Sequence, residues 1–166
     1  MTTVERHATG EKYAEYVYGT IGVMVAVAGL NAGSHDVRAA NAVIVIVIGA
    51  LATWFAHAFS QLVGERVKRQ GPVPREKVLA AFSTSWMIVM AALPATAVTV
   101  LAALGAWSVS TSLSPANALA VASLAVVGVL VGRVSALSGW SRLRYVVILT
   151  VVGMAIVALE AGAHRL

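Results

Sequence analysis

Residues 42–63 read AVIVIVIGALATWFAHAFSQLV, 22 residues in which only Thr53, His57, Ser60 and Gln61 carry polar side chains besides the indole of Trp54. As a helix this stretch is roughly 33 Å long at about 1.5 Å per residue, enough to cross a bilayer. It also holds the one histidine that lies inside an apolar run. The rest of the chain has the same character. Of 166 residues, 59% are hydrophobic and 11% charged, and the mean hydropathy is +0.84. Soluble domains average about 25% charged residues, and a chain this short has too little interior to hide so much apolar surface from water. Lipid must solvate it. In lipid every backbone polar group has to be paired, which leaves helices or a closed barrel. Barrel strands alternate apolar and polar residues over about ten positions. The runs here are continuous and near twenty long, so the expected fold class is all-α, a polytopic membrane helical bundle forming one transmembrane domain.

Working outward, five spans are expected: about 13–30, 42–63, 78–107, 115–133 and 143–160. Tyr13, Tyr16 and Tyr18 suit a headgroup belt at the start of the first. Gly71, Pro72 and Pro74 forbid a continuous helix through the charged link after the second. Pro94 falls mid-way through the third and should kink it, with Thr96 and Thr99 near enough to help satisfy freed backbone groups. Ser114 and Pro115 read as cap and first turn of the fourth. The first 12 residues are polar and of mixed charge, unlike a cleavable signal peptide, so the first span is expected to be retained.

Lysine and arginine set the orientation. Arg6, Lys12, Arg66, Lys68, Arg69, Arg75, Lys77, Arg133, Arg142 and Arg144 fall on the side holding the N-terminus. Arg38 and Arg165 fall on the other. Ten of twelve on one side is a positive-inside pattern, placing the N-terminus in the cytoplasm, the C-terminus outside and the protein in the inner (plasma) membrane. The net charge of +5 follows from that distribution, and no nucleic-acid partner is expected.

On a helical wheel Ala50, Thr53, Trp54, His57, Gln61, Gly64 and Glu65 share one face of the second span. Ile44, Ile48, Phe55, Phe59 and Leu62 share the other. The bulky face should meet lipid and the polar one protein or water. An ionisable side chain at membrane depth is a functional candidate by default, and its alternative is a cross-helix hydrogen bond that only packs the bundle. His57 lies about 9 Å from the cytoplasmic end of its helix. Glu15 and Tyr18 in the first span, Ser83 to Trp86 in the third and Arg133 in the fourth share that half of the membrane. Glu15 with His57 and Glu15 with Arg133 are the pairs to test. Together with Gln61 and Trp54 they would line a cytoplasm-facing vestibule. Because histidine titrates near neutral pH, proton dependence follows naturally. For Glu15 and Arg133 the bland reading is snorkelling to the headgroups.

At the outer end His35, Asp36, Glu160 and His164 gather oxygen and imidazole groups of the kind that bind divalent metals. Their spacing is not diagnostic and solvated polar ends are the better reading, so no metal or other cofactor is expected. Gly128 and Gly132 form a GxxxG on the fourth span, and Gly29 and Gly33 another at the end of the first; both permit close helix contact. There is no cysteine, no phosphate-binding or dinucleotide loop, no HExxH and no GxSxG, which removes the commonest enzyme readings.

Tyr18-Gly19-Thr20 in the first span, and Trp54-Phe55-Ala56-His57 leading to Gly64-Glu65-Arg66 in the second, resemble a group of small uncharacterised actinobacterial-type integral membrane proteins. That resemblance covers the chain and implies no activity. The five-span count is reminiscent of vacuolar-iron-transporter-like proteins. Those carry a glutamate-rich metal-binding segment between spans two and three, where this chain has Glu65 and Glu76 in a basic stretch. The expectation is an ion or small-solute channel or transporter, a homo-oligomer since five spans are few for a monomeric pore, and not an enzyme. The alternative is a membrane scaffold or accessory subunit whose polar residues only fix packing.

Overall fold

A computed structural model describes residues 3–33, 39–105, 109–135 and 138–163. Among these residues the chain forms six helices: α1 (Thr3–Gly33), α2 (Ala39–Arg69), α3 (Arg75–Ala91), α4 (Leu93–Ala103), α5 (Val109–Val134) and α6 (Gly139–Ala163). Four of them, α1, α2, α5 and α6, are long and apolar enough to cross a membrane. The α3–α4 pair, bent by 43°, makes a fifth if it crosses as one broken span. The protein is thus an all-α, multi-pass integral membrane protein.

The helices run past the apolar spans into their charged flanks. α1 takes in VERHATGEK and α2 continues through GERVKR. Once a helix is nucleated each added residue gains a backbone bond at little cost, and Glu, Arg and Lys propagate well. Gly64 does not stop α2, because a lone glycine costs only about 1 kcal/mol. The stop comes at Gln70, which takes a left-handed φ of 52° and whose N–H donates to Val67 O at 3.4 Å. Gly71 and Pro72 follow it. At some 46 Å, α2 is longer than a hydrocarbon core of about 30 Å, so its charged turns project beyond it.

The break between α3 and α4 falls at Ala92, two residues before Pro94. Proline has no N–H for the Met90 carbonyl and its ring crowds that oxygen. The chain tightens there, Ala92 N–H donating to Val89 O at 3.1 Å. Thr99 donates to Ala95 O within α4, so it braces the segment after the kink rather than the carbonyl that Pro94 frees. α5 starts at Val109, and Pro115 stands inside it rather than in its first turn.

α1 is the central helix, packed on α2, α3, α5 and α6, and the most buried of the four single spans; α6 is the least. Val23 and Val27 of α1 meet Ile46 and Ala50 of α2, Ala92 and Ala95 at the kink, and Ala116 of α5. Met24 packs with Ala120 and Leu124 of α5. Between helices in lipid there is little hydrophobic drive, so small residues that let backbones approach supply the packing. A Cβ on Gly128 would lie 3.2 Å from Val146 Cα, and one on Gly132 would strike the stem of Arg142. The GxxxG of α5 therefore seats α6. The exposed residues Ile44, Ile48, Phe55 and Phe59 of α2 form a lipid-facing strip. Leu62 departs from that strip and lines a cleft instead.

Candidate functional site

Glu15 is a carboxylate two residues after Tyr13 on the most enclosed of the single spans, and it is 7% exposed. A buried charge is costly unless paired and hydrogen-bonded. α2 supplies both partners from one face, four residues apart. His57 Nε2 lies 2.9 Å from Glu15 Oε1 and also 2.9 Å from Oε2, and Gln61 Nε2 lies 2.7 Å from Oε1. Gln61 Nε2 is 3.1 Å from His57 Nε2. With Glu15 ionised, the arrangement that satisfies the donors has His57 Nε2–H and the Gln61 amide both donating to Oε1, and the amide–imidazole approach is then a contact between two donors. One N–H points at one oxygen. Oε2, though close to the imidazole, accepts no hydrogen bond. Tyr18, one turn along α1, lays its ring on the imidazole with centroids 4.9 Å apart and planes at 37°.

Trp54 is directed elsewhere. Its Nε1–H donates to Phe82 O at 3.0 Å, and its ring meets Phe82 and Trp86 edge-on at 5.4 and 5.3 Å. It ties α2 to α3 one turn above His57. Glu15 and Gln61 open onto a cleft of about 420 Å³ between α1, α2 and α3. Glu11 of α1 joins its wall, as do Leu62, Glu65 and Lys68 of α2, and Lys77, Ala81 and Thr84 of α3. Glu65 is held by Arg69 at 2.6 Å. All of these residues belong to the half of the bundle that holds the α2–α3 link. The other half is filled by the Val23, Val27, Ile46 and Ala95 cluster.

The structure thus brings Glu15, His57, Gln61 and Tyr18 together and keeps Trp54 as their neighbour in the helix packing. Arg133 is not part of the group. It is exposed in the last turn of α5, and among the described residues the ion pairs are Glu15–His57 and Glu65–Arg69. His35, Asp36 and His164 lie outside the described residues, as does the side chain of Glu160. Among the described residues no three acidic or histidine side chains are grouped to hold a metal. Glu11, Lys68 and Lys77 are not among the candidate residues that the sequence singles out. The signal that finds two of them is helical spacing: Glu11 is one turn before Glu15, and Lys68 continues the ladder of His57, Gln61 and Glu65.

Comparison of the chain with protein-family models, curated proteins and solved structures finds no match. The functional reading therefore rests on this geometry.

Proposed function

We propose that the protein moves or gates a small ion or solute across the inner membrane of a bacterium, using the cleft as a cytoplasm-facing vestibule with Glu15 at its base. One observation carries this reading: a carboxylate 7% exposed at membrane depth is paired with His57 and Gln61 and opens to a cleft of about 420 Å³ rather than to packed side chains. A residue needed only for packing is served more cheaply by an amide or hydroxyl, since one ionisable group inside the membrane costs several kcal/mol on most scales. The topology that goes with it has five spans, α3 and α4 crossing as one, with the N-terminus in the cytoplasm and the C-terminus outside. It is supported by ten of twelve cationic residues on the side of the cleft mouth. Because the cleft stops at the apolar core, passage requires a rearrangement of the helices or an assembly of several chains, and we take the working form to be a homo-oligomer.

The test is flux in proteoliposomes, with wild type, His57→Ala and Arg133→Gln compared across the common ions and protons. Expected are flux above empty vesicles for wild type, its loss in His57→Ala and its retention in Arg133→Gln. No flux for any ion removes the transport reading in favour of a scaffold or accessory subunit. Flux unchanged by His57→Ala removes the site.

A further inference from the structure

Two buried side-chain oxygens in the same corner of the bundle lack a hydrogen-bond partner: Oε2 of Glu15 and Oγ of Ser85. Each residue is more than nine-tenths buried, Ser85 completely. Orphaned buried oxygens are rare, and each needs an account. Their placement follows from the closest contact in the fold. A Cβ on Gly19 would lie 2.6 Å from both Cα and O of Ile88, so α1 and α3, which run parallel, touch backbone to backbone there. Glu15 is one turn before Gly19, and Thr84 and Ser85 are one turn before Ile88, on the helix faces that meet. Thr84 lines the cleft beside Glu15. The inner end of the cleft therefore presents Glu15, Thr84 and the amide of Gln61, with the fully buried Ser85 hydroxyl next to Thr84 behind the wall, at the level of Glu15.

We infer that this corner is a binding site for a small monovalent cation of the Na⁺ class, held by Glu15 Oε2 and the hydroxyls of Ser85 and Thr84 and entered from the cleft. The inference rests on the vestibule reading above and deepens it by naming the ion. A hard alkali cation takes oxygen ligands, and here the oxygens are the groups left without donors. The charge balance selects valence. With a neutral imidazole donating from Nε2, His57 and Gln61 leave the charge of the Glu15 carboxylate in place, and one carboxylate is then matched by one positive charge. A divalent ion would leave a net charge in a low-dielectric interior, which is expensive. Zinc, copper and nickel favour imidazole or thiolate ligands, and the His57 nitrogen that faces Glu15 is already engaged with the carboxylate. The cleft supplies the route. Glu11 and Glu65 stand along its wall with Lys68 and Lys77, so the approach is of mixed sign and does not exclude a monovalent cation.

The experiment is a cation titration of the full chain in detergent, read by thermal stability and by the emission of Trp54 and Trp86, with choline keeping ionic strength constant. A ligand that binds the folded state raises the melting temperature in proportion to the logarithm of its concentration above Kd. Expected is a rise with Na⁺ that Ca²⁺ does not reproduce. Ser85→Ala should weaken the Na⁺ response at least severalfold, and Glu15→Gln at least tenfold. Gly49→Ala, whose added methyl meets nothing within 4 Å, should respond like wild type. Ser85→Ala removes an unpartnered hydroxyl and keeps the fold testable if Glu15→Gln does not assemble. No Na⁺ response, a stronger response to Ca²⁺, or an unchanged response in Ser85→Ala overturns the assignment. Flux without a Na⁺ response would sink the cation site and leave the vestibule. A Na⁺ response without flux would do the reverse.

Discussion

Gly19 and Ile88 bring two membrane helices into backbone contact, so that a methyl group on Gly19 would fall 2.6 Å from Ile88 Cα. Nothing flexible lies in the way that could move aside, because the atoms met are main chain. Gly19→Ala must therefore push α1 off α3, at about 1–3 kcal/mol for overpacking a close-packed contact. The same substitution at Gly22 meets only Thr53 side-chain atoms at 3.9 Å and should be neutral or stabilising by up to about 1 kcal/mol, the helix-propensity gain of alanine over glycine. Denaturation of the two variants in mixed micelles checks the contrast. Equal stabilities would mean that the helices are not in contact there.

The α3–α4 pair can cross the membrane or turn back within it, and the cysteine-free chain lets single introduced cysteines decide. Leu104 is strongly exposed just beyond α4, and Gln70 ends α2 at the other end of the bundle. In cells, an impermeant maleimide should label Leu104→Cys directly and Gln70→Cys only after permeabilisation. Labelling of both from one side would make the pair re-entrant and reduce the spans to four.

Gln70 itself carries strain. A left-handed φ of 52° in a residue with a Cβ costs about 1–2 kcal/mol relative to glycine. Against that stands the greater freedom glycine has in the unfolded chain, about 0.4–1 kcal/mol. Gln70→Gly should therefore be stabilising by roughly 0.5 kcal/mol, seen as a small rise in melting temperature with no change in flux. A fall would show that the Gln70 side chain makes a contact that outweighs the backbone term.

Much of this arrangement is legible in the chain because lipid makes the rules strict. Long apolar runs have to be helices, and the wheel of residues 42–63 separates Ile44, Ile48, Phe55 and Phe59, which are exposed on the lipid face, from His57, half-buried against Glu15, and Gln61, which opens onto the cleft. Depth alone puts Glu15 and His57 at one level, and they meet at 2.9 Å. Leu62 escapes the wheel because its surroundings change along the helix: α2 leaves the apolar span near it, and the cleft opens against α3. Arg133 shares the level of Glu15, but depth carries no information on azimuth, and α5 turns it outward. Tyr18 on His57 and Trp54 on the Phe82 carbonyl depend on the rotation of three helices about one another, which no local pattern encodes. The centrality of α1 is hidden for the same reason. Its sequence is less apolar than α2, and polar residues such as Glu15 and Thr20 are tolerated there because neighbouring groups, or its own backbone in the case of Thr20, satisfy them.

The pairing of Glu15 with His57 predicts unequal costs for losing either partner. His57→Ala leaves a carboxylate whose side chain is 8% exposed with Gln61 as its remaining donor, and an under-satisfied buried charge costs about 1–3 kcal/mol. The imidazole side chain is 27% exposed, so in Glu15→Gln it can turn toward the cleft and water. The new amide still offers a carbonyl oxygen to Gln61 or His57, and the cost should be about 1 kcal/mol or less. The double variant should cost less than the two singles added, because removing the charge also removes the penalty that His57→Ala incurs. Unfolding of the four proteins gives this coupling directly. Additive losses would mean that the two residues, although in contact, contribute independently, and that the buried carboxylate draws its stabilisation from Gln61 and the cleft rather than from the imidazole.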